Sequence, residues 1–283
     1  MTITTLGVIG TGAMGSGIIE VAAKAGVTVI ARDINAAAVE AGQGKVEGSM
    51  AKAVERGKLD EAAREAAVAN ITWTTDLADL APCDLVIEAA PENLELKKEL
   101  FAELDSILDP DAIIATNTSS YPIIEVAMVT SRPEKIVGMH FFNPATVMKL
   151  VEVISTQRTA DDVKAAAAAF ASDVLGKRVV HCKDRAGFVV NMLLVPYLCQ
   201  AMRMFENGHA SAADIDEAMK LGAGHPMGPL ELSDMIGLDV MLWTAESLHD
   251  EYNEAFYAPP PLLRRMVTAG QLGRKTGQGF YSY

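Results

Sequence analysis

Thr5-Leu6-Gly7-Val8-Ile9-Gly10-Thr11-Gly12-Ala13-Met14-Gly15 sets the architecture of the chain's first half. A short aliphatic run leads into a G-x-G-x-x-G string and then into the Ala- and Ile-rich stretch Met14–Ala25, the strand–turn–helix setting that gives the string its meaning. In that setting Gly10 permits the tight turn, Gly12 admits a pyrophosphate against the backbone, and Gly15 lets the helix close on the strand. The helix start, with Ala13 and Met14, presents free N–H groups and a positive dipole to an anion. Asp33 ends the next strand-like run, 23 residues after Gly10, where a carboxylate accepts hydrogen bonds from a ribose; the combination favours NAD over NADP. Arg32 beside it is suited to a 2′-phosphate and keeps NADP open, while a glycine turn that holds no ligand is the bland alternative.

Short β-branched runs then alternate with longer Ala-rich stretches, the pattern of a parallel sheet with crossover helices on its faces. The predicted strands are Thr5–Ile9, Thr28–Arg32, Leu85–Glu88, Ile113–Thr116, Ile136–His140 and Lys149–Ile154. The predicted helices between and after them are Met14–Ala25, Ala36–Glu55, Asp60–Ala69, Leu94–Ile107 and Ala160–Leu175. The fold class is therefore α/β: a Rossmann-type, doubly wound, mostly parallel sheet over residues 1–184, followed by an all-helical domain over residues 185–283. The second domain is read from helical spacing in Val189–Asn207, Ser211–Leu221, Leu230–His249 and Pro261–Ala269, with Gly222–Pro229 and Pro259–Pro261 as breaks.

Charge and composition exclude several classes. A net charge of −13 over 283 residues offers no basic footprint for a phosphate backbone, so no nucleic-acid partner is expected. Three scattered cysteines, Cys83, Cys182 and Cys199, form neither a disulfide framework nor a Cys-x-x-Cys site and fit a reducing cytoplasm. The N-terminus lacks a basic stretch followed by an apolar run and cleavage site, so no export signal is expected. The most apolar stretch, Phe188–Met202, is interrupted by Asn191, Pro196 and Gln200 and falls short of the roughly 20 residues that span a bilayer, so no membrane association is expected.

His140-Phe141-Phe142-Asn143-Pro144 follows a predicted strand, and Glu152 stands twelve residues after His140 in the otherwise apolar run Leu150–Ile154. Chemistry at a hydroxyl-bearing carbon needs a proton acceptor that titrates near neutrality, and a histidine oriented by a carboxylate supplies one. A core histidine and a solvent-facing glutamate are the bland readings. A charge in the middle of an apolar strand argues against the second, because burying it requires a partner. No His-Glu-x-x-His or comparable spacing points to a metal site.

The chain resembles the 3-hydroxyacyl-CoA dehydrogenases, in particular the bacterial 3-hydroxybutyryl-CoA type. The resemblance runs through Gly7–Gly15, Glu88–Asn93 with Lys97, Asn117–Ser120, Gly138–Pro144, Met148–Ile154, Asp184–Asn191, Lys220–Pro229 and Leu272–Tyr281. It implies His140 and Glu152 as the general acid/base pair, with Ser119 and Asn191 polarising the substrate oxygen. It also implies Glu92, Lys97, Ser119, Asn143 and Lys275 along the NAD cofactor, and Ser49, Lys52 and Arg56 beside the CoA portion of an acyl-CoA substrate. Lys52 and Arg56 share a helix face, as residues four apart do, which also suits an ordinary solvated surface. Thr146 departs from the resemblance, where many relatives carry proline. The implied reaction is hydride transfer between NAD and C3 of a short (3S)-3-hydroxyacyl-CoA, by an expected cytoplasmic homodimer; fatty-acid oxidation, butanoate metabolism, polyhydroxyalkanoate supply and aromatic-acid catabolism all stay open as its setting. A dehydrogenase of a free hydroxy acid, as in the related gulonate enzymes, and a non-catalytic NAD-binding structural protein stay open as alternatives. Because both implied ligands are polyanions, Lys52, Arg56, Lys97 and Lys275 are expected to line one locally positive cleft.

Overall fold

Strand β1 (Thr5–Ile9) pairs in parallel with β2 (Thr28–Arg32) on one side and β4 (Leu85–Glu88) on the other, in a computed structural model that describes residues 2–283. With β3 (Ile71–Thr74), β5 (Ile113–Thr116), β6 (Ile136–Phe141), β7 (Leu150–Ser155) and β8 (Arg178–Lys183) these form one sheet in the order β3-β2-β1-β4-β5-β6-β7-β8. Every neighbouring pair is parallel except β6–β7, which is antiparallel. The central strands are buried on both faces, as continuous aliphatic runs such as Leu85-Val86-Ile87 require.

The helices of this part are α1 (Ala13–Lys24), α2 (Ala36–Glu55), α3 (Glu61–Ala69), α4 (Leu94–Ile107), the short α5 (Ile123–Ala127) and α6 (Asp161–Ala169). Three of them start at side-chain caps: Asn35, Asp60 and Asn93 accept from the amides of Ala38, Ala63 and Leu96. Helix α6 does not continue to Leu175 as a regular α-helix, because residues Phe170–Val174 form a π-helical turn. The sequence reading of six strands is also corrected, since β3 and β8 flank the sheet on either edge. Both mix polar and apolar residues and have no buried face to mark them.

The chain divides into two compact units, residues 1–184 and 185–283. The second holds α7 (Val190–Glu206), α8 (Ala212–Ala223), α9 (Pro229–Ile236), α10 (Leu238–Tyr252) and α11 (Pro261–Thr268) around a core that includes Leu198, Met202, Leu230, Leu238, Met241 and Leu263. The expected single helix Leu230–His249 is two, broken at Gly237, whose φ of 104° no ordinary residue adopts without strain. Two buried carboxylates tie this unit together. Asp216 accepts from the amides of Leu230 and Glu231 at the start of α9 and from the Tyr281 hydroxyl, and Asp234 accepts from the amides of Phe280 and Tyr281. Among the described residues no helix is long and apolar enough to cross a membrane.

Candidate active site

The parallel strands β1, β4, β5 and β6 deliver their C-terminal ends to one edge of the sheet, and the sequence-derived candidates of the first unit concentrate along it. Gly10 follows β1 with a φ of 89° and sits so close to the next strand that a Cβ would lie 2.6 Å from the Ala89 carbonyl oxygen. A Cβ on Gly15 would lie 1.7 Å from the Gly10 carbonyl oxygen, so helix α1 closes on the turn only because that position has no side chain. Gly12 is different: nothing lies within 4 Å of its would-be Cβ, which leaves open space against the backbone at the start of α1. That open backbone, beside the unpaired N–H groups of the helix start, fits a dinucleotide's pyrophosphate.

Asp33 stands at the end of β2 as expected. Its Oδ2 accepts from the Thr11 amide and hydroxyl, both at 2.7 Å, and its Oδ1 accepts from the Ile34 amide at 2.7 Å. Burial pushes this carboxyl up, but the Thr11 and Ile34 hydrogen bonds and the neighbouring Arg32 charge outweigh it and hold the group below the usual carboxylate value. The side chain is thus charged and fixed beside the glycine turn, where a ribose would be met.

At the other end of the row, His140 on β6 is paired in register with Glu152 on β7. The antiparallel arrangement puts directly opposed side chains on the same face, which is how twelve residues of separation become one contact. His140 Nδ1 lies 2.8 Å from Glu152 Oε2, and both side chains are buried. A carboxylate only accepts, so Nδ1 carries a ring proton; Nε2 lies 2.9 Å from Ser119 Oγ, where a ring with no second proton accepts. The Phe142 ring packs edge-on against the imidazole with centroids 4.6 Å apart.

Ser119 is held from behind. Its amide donates to Glu92 Oε1 at 2.8 Å, and the Thr118 hydroxyl donates to Glu92 Oε2 at 2.8 Å. Asn117, just past β5, ties the ends of β4 and β6: its amide donates to the Glu88 carbonyl, and its side-chain oxygen accepts from the Phe141 amide beside His140, at 2.9 Å. Below lies a polar cluster that sequence reasoning did not find. Glu88, fully buried at the end of β4, accepts from Lys97 Nζ, the Thr116 hydroxyl and the Ala90 amide, each at 2.7 Å. Lys97 also reaches Glu92 Oε2 at 3.3 Å. With only 1% of its side chain exposed, Lys97 is not a cation on a cleft wall, which corrects the expected row of four positive side chains. Its charge is engaged by two carboxylates, one of which orients Ser119. The motif Glu88-x-x-x-Glu92-x-x-x-x-Lys97 was the available signal, since a strand-end glutamate in an aliphatic run needs a partner.

The remaining candidates sit as follows. Asn143 is exposed on the loop after β6. Ser49, on α2, lines a cavity of about 150 Å³ with Ser16, Glu20, Lys45 and Thr146, while Lys52 further along the helix and Arg56 at its C-cap are exposed. In the second unit Asn191 occupies the first turn of α7, and Lys275 Nζ is bound to Asp239 at 2.6 and 2.5 Å.

The sequence matches the family models of 3-hydroxyacyl-CoA dehydrogenase, the NAD binding domain over residues 5–185 and the C-terminal domain over residues 187–283. It is 51% identical to a 3-hydroxybutyryl-CoA dehydrogenase of Mycobacterium tuberculosis, over 99% of each chain. The fold superposes on the crystal structure of FadB2 from M. tuberculosis with a TM-score of 0.99 at 51% identity, covering 100% of both chains. It superposes on the (S)-3-hydroxybutyryl-CoA dehydrogenase of Ralstonia eutropha with a TM-score of 0.96 at 46% identity, covering 100% of this chain and 99% of that one.

Proposed function

The chain belongs to the 3-hydroxyacyl-CoA dehydrogenase family, and from that premise we propose that it interconverts (3S)-3-hydroxybutyryl-CoA and acetoacetyl-CoA with NAD as the redox partner. The observation that carries the reading is the hydrogen-bonded line Glu152–His140–Ser119 on the same sheet edge as the glycine turn. Gly10, Gly12, Ala13, Met14 and Gly15 hold the pyrophosphate and Asp33 the ribose; Glu92, Ser119, Asn143 and Lys275 lie along the rest of the dinucleotide. Lys97 serves that site through Glu92. When bound, NAD supplies the hydride acceptor, or in its reduced form the donor, for C3 of the substrate.

The protein's own groups handle the proton and the oxygen. In the oxidative direction Nε2 of His140 accepts the proton of the 3-hydroxyl, and Glu152 at Nδ1 fixes the ring and stabilises the imidazolium that forms. In the reductive direction the imidazolium returns that proton to the oxygen. Ser119 and Asn191 hydrogen-bond the oxygen as it gains or loses carbonyl character, which orients C3 as much as it stabilises charge. Ser49 and Lys52 on α2, with Arg56 at its C-cap, receive the phosphates of CoA.

The helical unit is the dimerisation surface in this reading, supported by the exposed apolar side chains Leu193, Leu221, Met235 and Val240. The three free thiols fit a reducing cytoplasm and a place in short-chain fatty-acid or butanoate metabolism. Sedimentation at about twice the 30.1 kDa chain mass supports the dimer, and sedimentation at the chain mass contradicts it. NADH oxidation on addition of acetoacetyl-CoA tests the activity, and its absence from folded, NADH-binding protein overturns the assignment.

A further inference from the structure

Residues 142–149 join the strand of His140 to the strand of Glu152 and carry Asn143. Within this connection the amides of Val147 and Met148 both donate to the Pro144 carbonyl at 2.9 Å. The carbonyls of Ala145 and Met148 are taken by a residue from another part of the chain: Lys177 Nζ lies 2.6 Å from the first and 2.8 Å from the second. Lys177 sits in the turn before β8 and is 9% exposed. Among the described residues no carboxylate lies within ion-pair distance of it.

A buried ammonium with no counter-ion is costly, and charge-assisted hydrogen bonds are what offset the cost here. Burial, and then the nearby Lys24 ammonium, hold the Lys177 amine below the usual lysine value. An apolar side chain would fill the same space without that cost, so the amine's consequence is the grip on the loop. The loop also meets α1: a Cβ on Gly17 would lie 3.0 Å from the Ala145 Cβ. The loop is therefore gripped by Lys177 and packed against the helix whose start forms the phosphate cradle.

We propose that Lys177 is a positioning residue whose ammonium straps the 142–149 loop onto α1, and so sets the Asn143 side of the dinucleotide site. The proposal rests on the dehydrogenase reading for its kinetic consequence, but the strap itself can be tested without turnover. Lys177 lines a cavity of about 370 Å³ together with Lys24, Thr146 and Lys149, so a small amine has access to the space an alanine would leave.

In Lys177→Ala, amide exchange at Val147 and Met148 should accelerate at least about tenfold while circular dichroism stays that of the wild type. The NADH Kd, read by fluorescence, and the NADH KM should both rise roughly tenfold with kcat at saturating NADH little changed. Ethylammonium should restore both in Lys177→Ala and have no effect on the wild type, a rescue that general loss of packing does not produce. Wild-type exchange at Val147 and Met148 in the folded variant overturns the strap whatever the activity; accelerated exchange with unchanged NADH Kd overturns the link to the cofactor site. If Lys177→Ala does not fold, Lys177→Arg reads the same geometry, because a planar guanidinium in that turn cannot reproduce both short contacts. A two- to fivefold rise in NADH Kd supports the proposal there, and a wild-type Kd contradicts it.

Discussion

His140 Nδ1 and Glu152 Oε2 stand 2.8 Å apart across the β6–β7 pair, the one antiparallel pair in an otherwise parallel sheet. The strand reversal matters to the chemistry. It sets the carboxylate directly opposite the imidazole, where rotation of either side chain is limited by burial on every side. Glu152→Gln keeps the shape and a hydrogen-bonding group but removes the charge that stabilises the imidazolium. We expect kcat to fall by about 10²–10⁴-fold with the KM for NADH within a few-fold of wild type. Steady-state kinetics with acetoacetyl-CoA check this, and a variant with near wild-type kcat would remove Glu152 from the mechanism.

Gly12 and Gly15 belong to the same turn and predict opposite behaviour. Gly12→Ala meets nothing within 4 Å and has an ordinary backbone conformation (φ −64°), so thermal stability should stay near wild type while NADH affinity drops at least about tenfold. Gly15→Ala drives a methyl into the Gly10 carbonyl and should destabilise the first unit itself. Calorimetric unfolding alongside NADH titration separates the two; equal loss of stability in both variants is the result that sinks the distinction.

Lys97 and Glu88 form an ion pair with both side chains at 1% exposure or less. Lys97→Met leaves the Glu88 carboxylate buried without its counter-charge, which costs about 3–5 kcal/mol and lowers the melting temperature by roughly 6–20 °C. Adding Glu88→Gln should return part of that loss, since the double variant buries no lone charge. A strictly additive double-mutant cycle would show the pair to be uncoupled.

Asp33 supplies a pH dependence with a definite sign. Its folded-state value lies below the ordinary 3.8, so its contribution to stability is fully present above that pH and is lost as the pH falls through the folded-state value. Wild type should therefore exceed Asp33→Asn in stability near neutrality, and the gap should narrow on acidification below about pH 4. Urea unfolding along a pH series reads it directly, and a gap that widens toward acid contradicts the hydrogen-bond argument.

Much of this was legible in the order of residues. β1, β2, β4, β5, α2 and α4 have the limits their sequences predict, because each is a clean aliphatic run or a capped amphipathic stretch. The edge strands were not legible: Arg178-Val179-Val180-His181-Cys182-Lys183 carries too many polar groups to read as a strand until β7 supplies its pairing. His140 and Glu152 could be paired in advance because a lone charge on an apolar strand demands a partner. Glu88 on its apolar strand demanded a partner in the same way, but which groups supply it, Lys97 and Thr116, depends on β4, α4 and β5 meeting at one sheet edge. The strap from Lys177 to the carbonyls of Ala145 and Met148 was likewise invisible, because backbone acceptors leave no mark on the sequence.

The most direct test of the account is NADH oxidation by acetoacetyl-CoA, measured in the wild type and in His140→Ala, with NADH binding measured in the same preparations. We predict turnover by the wild type, loss of at least about 10²-fold in His140→Ala, and NADH affinity within a few-fold in the two proteins. Full turnover by His140→Ala, or none by a wild type that binds NADH, would contradict it.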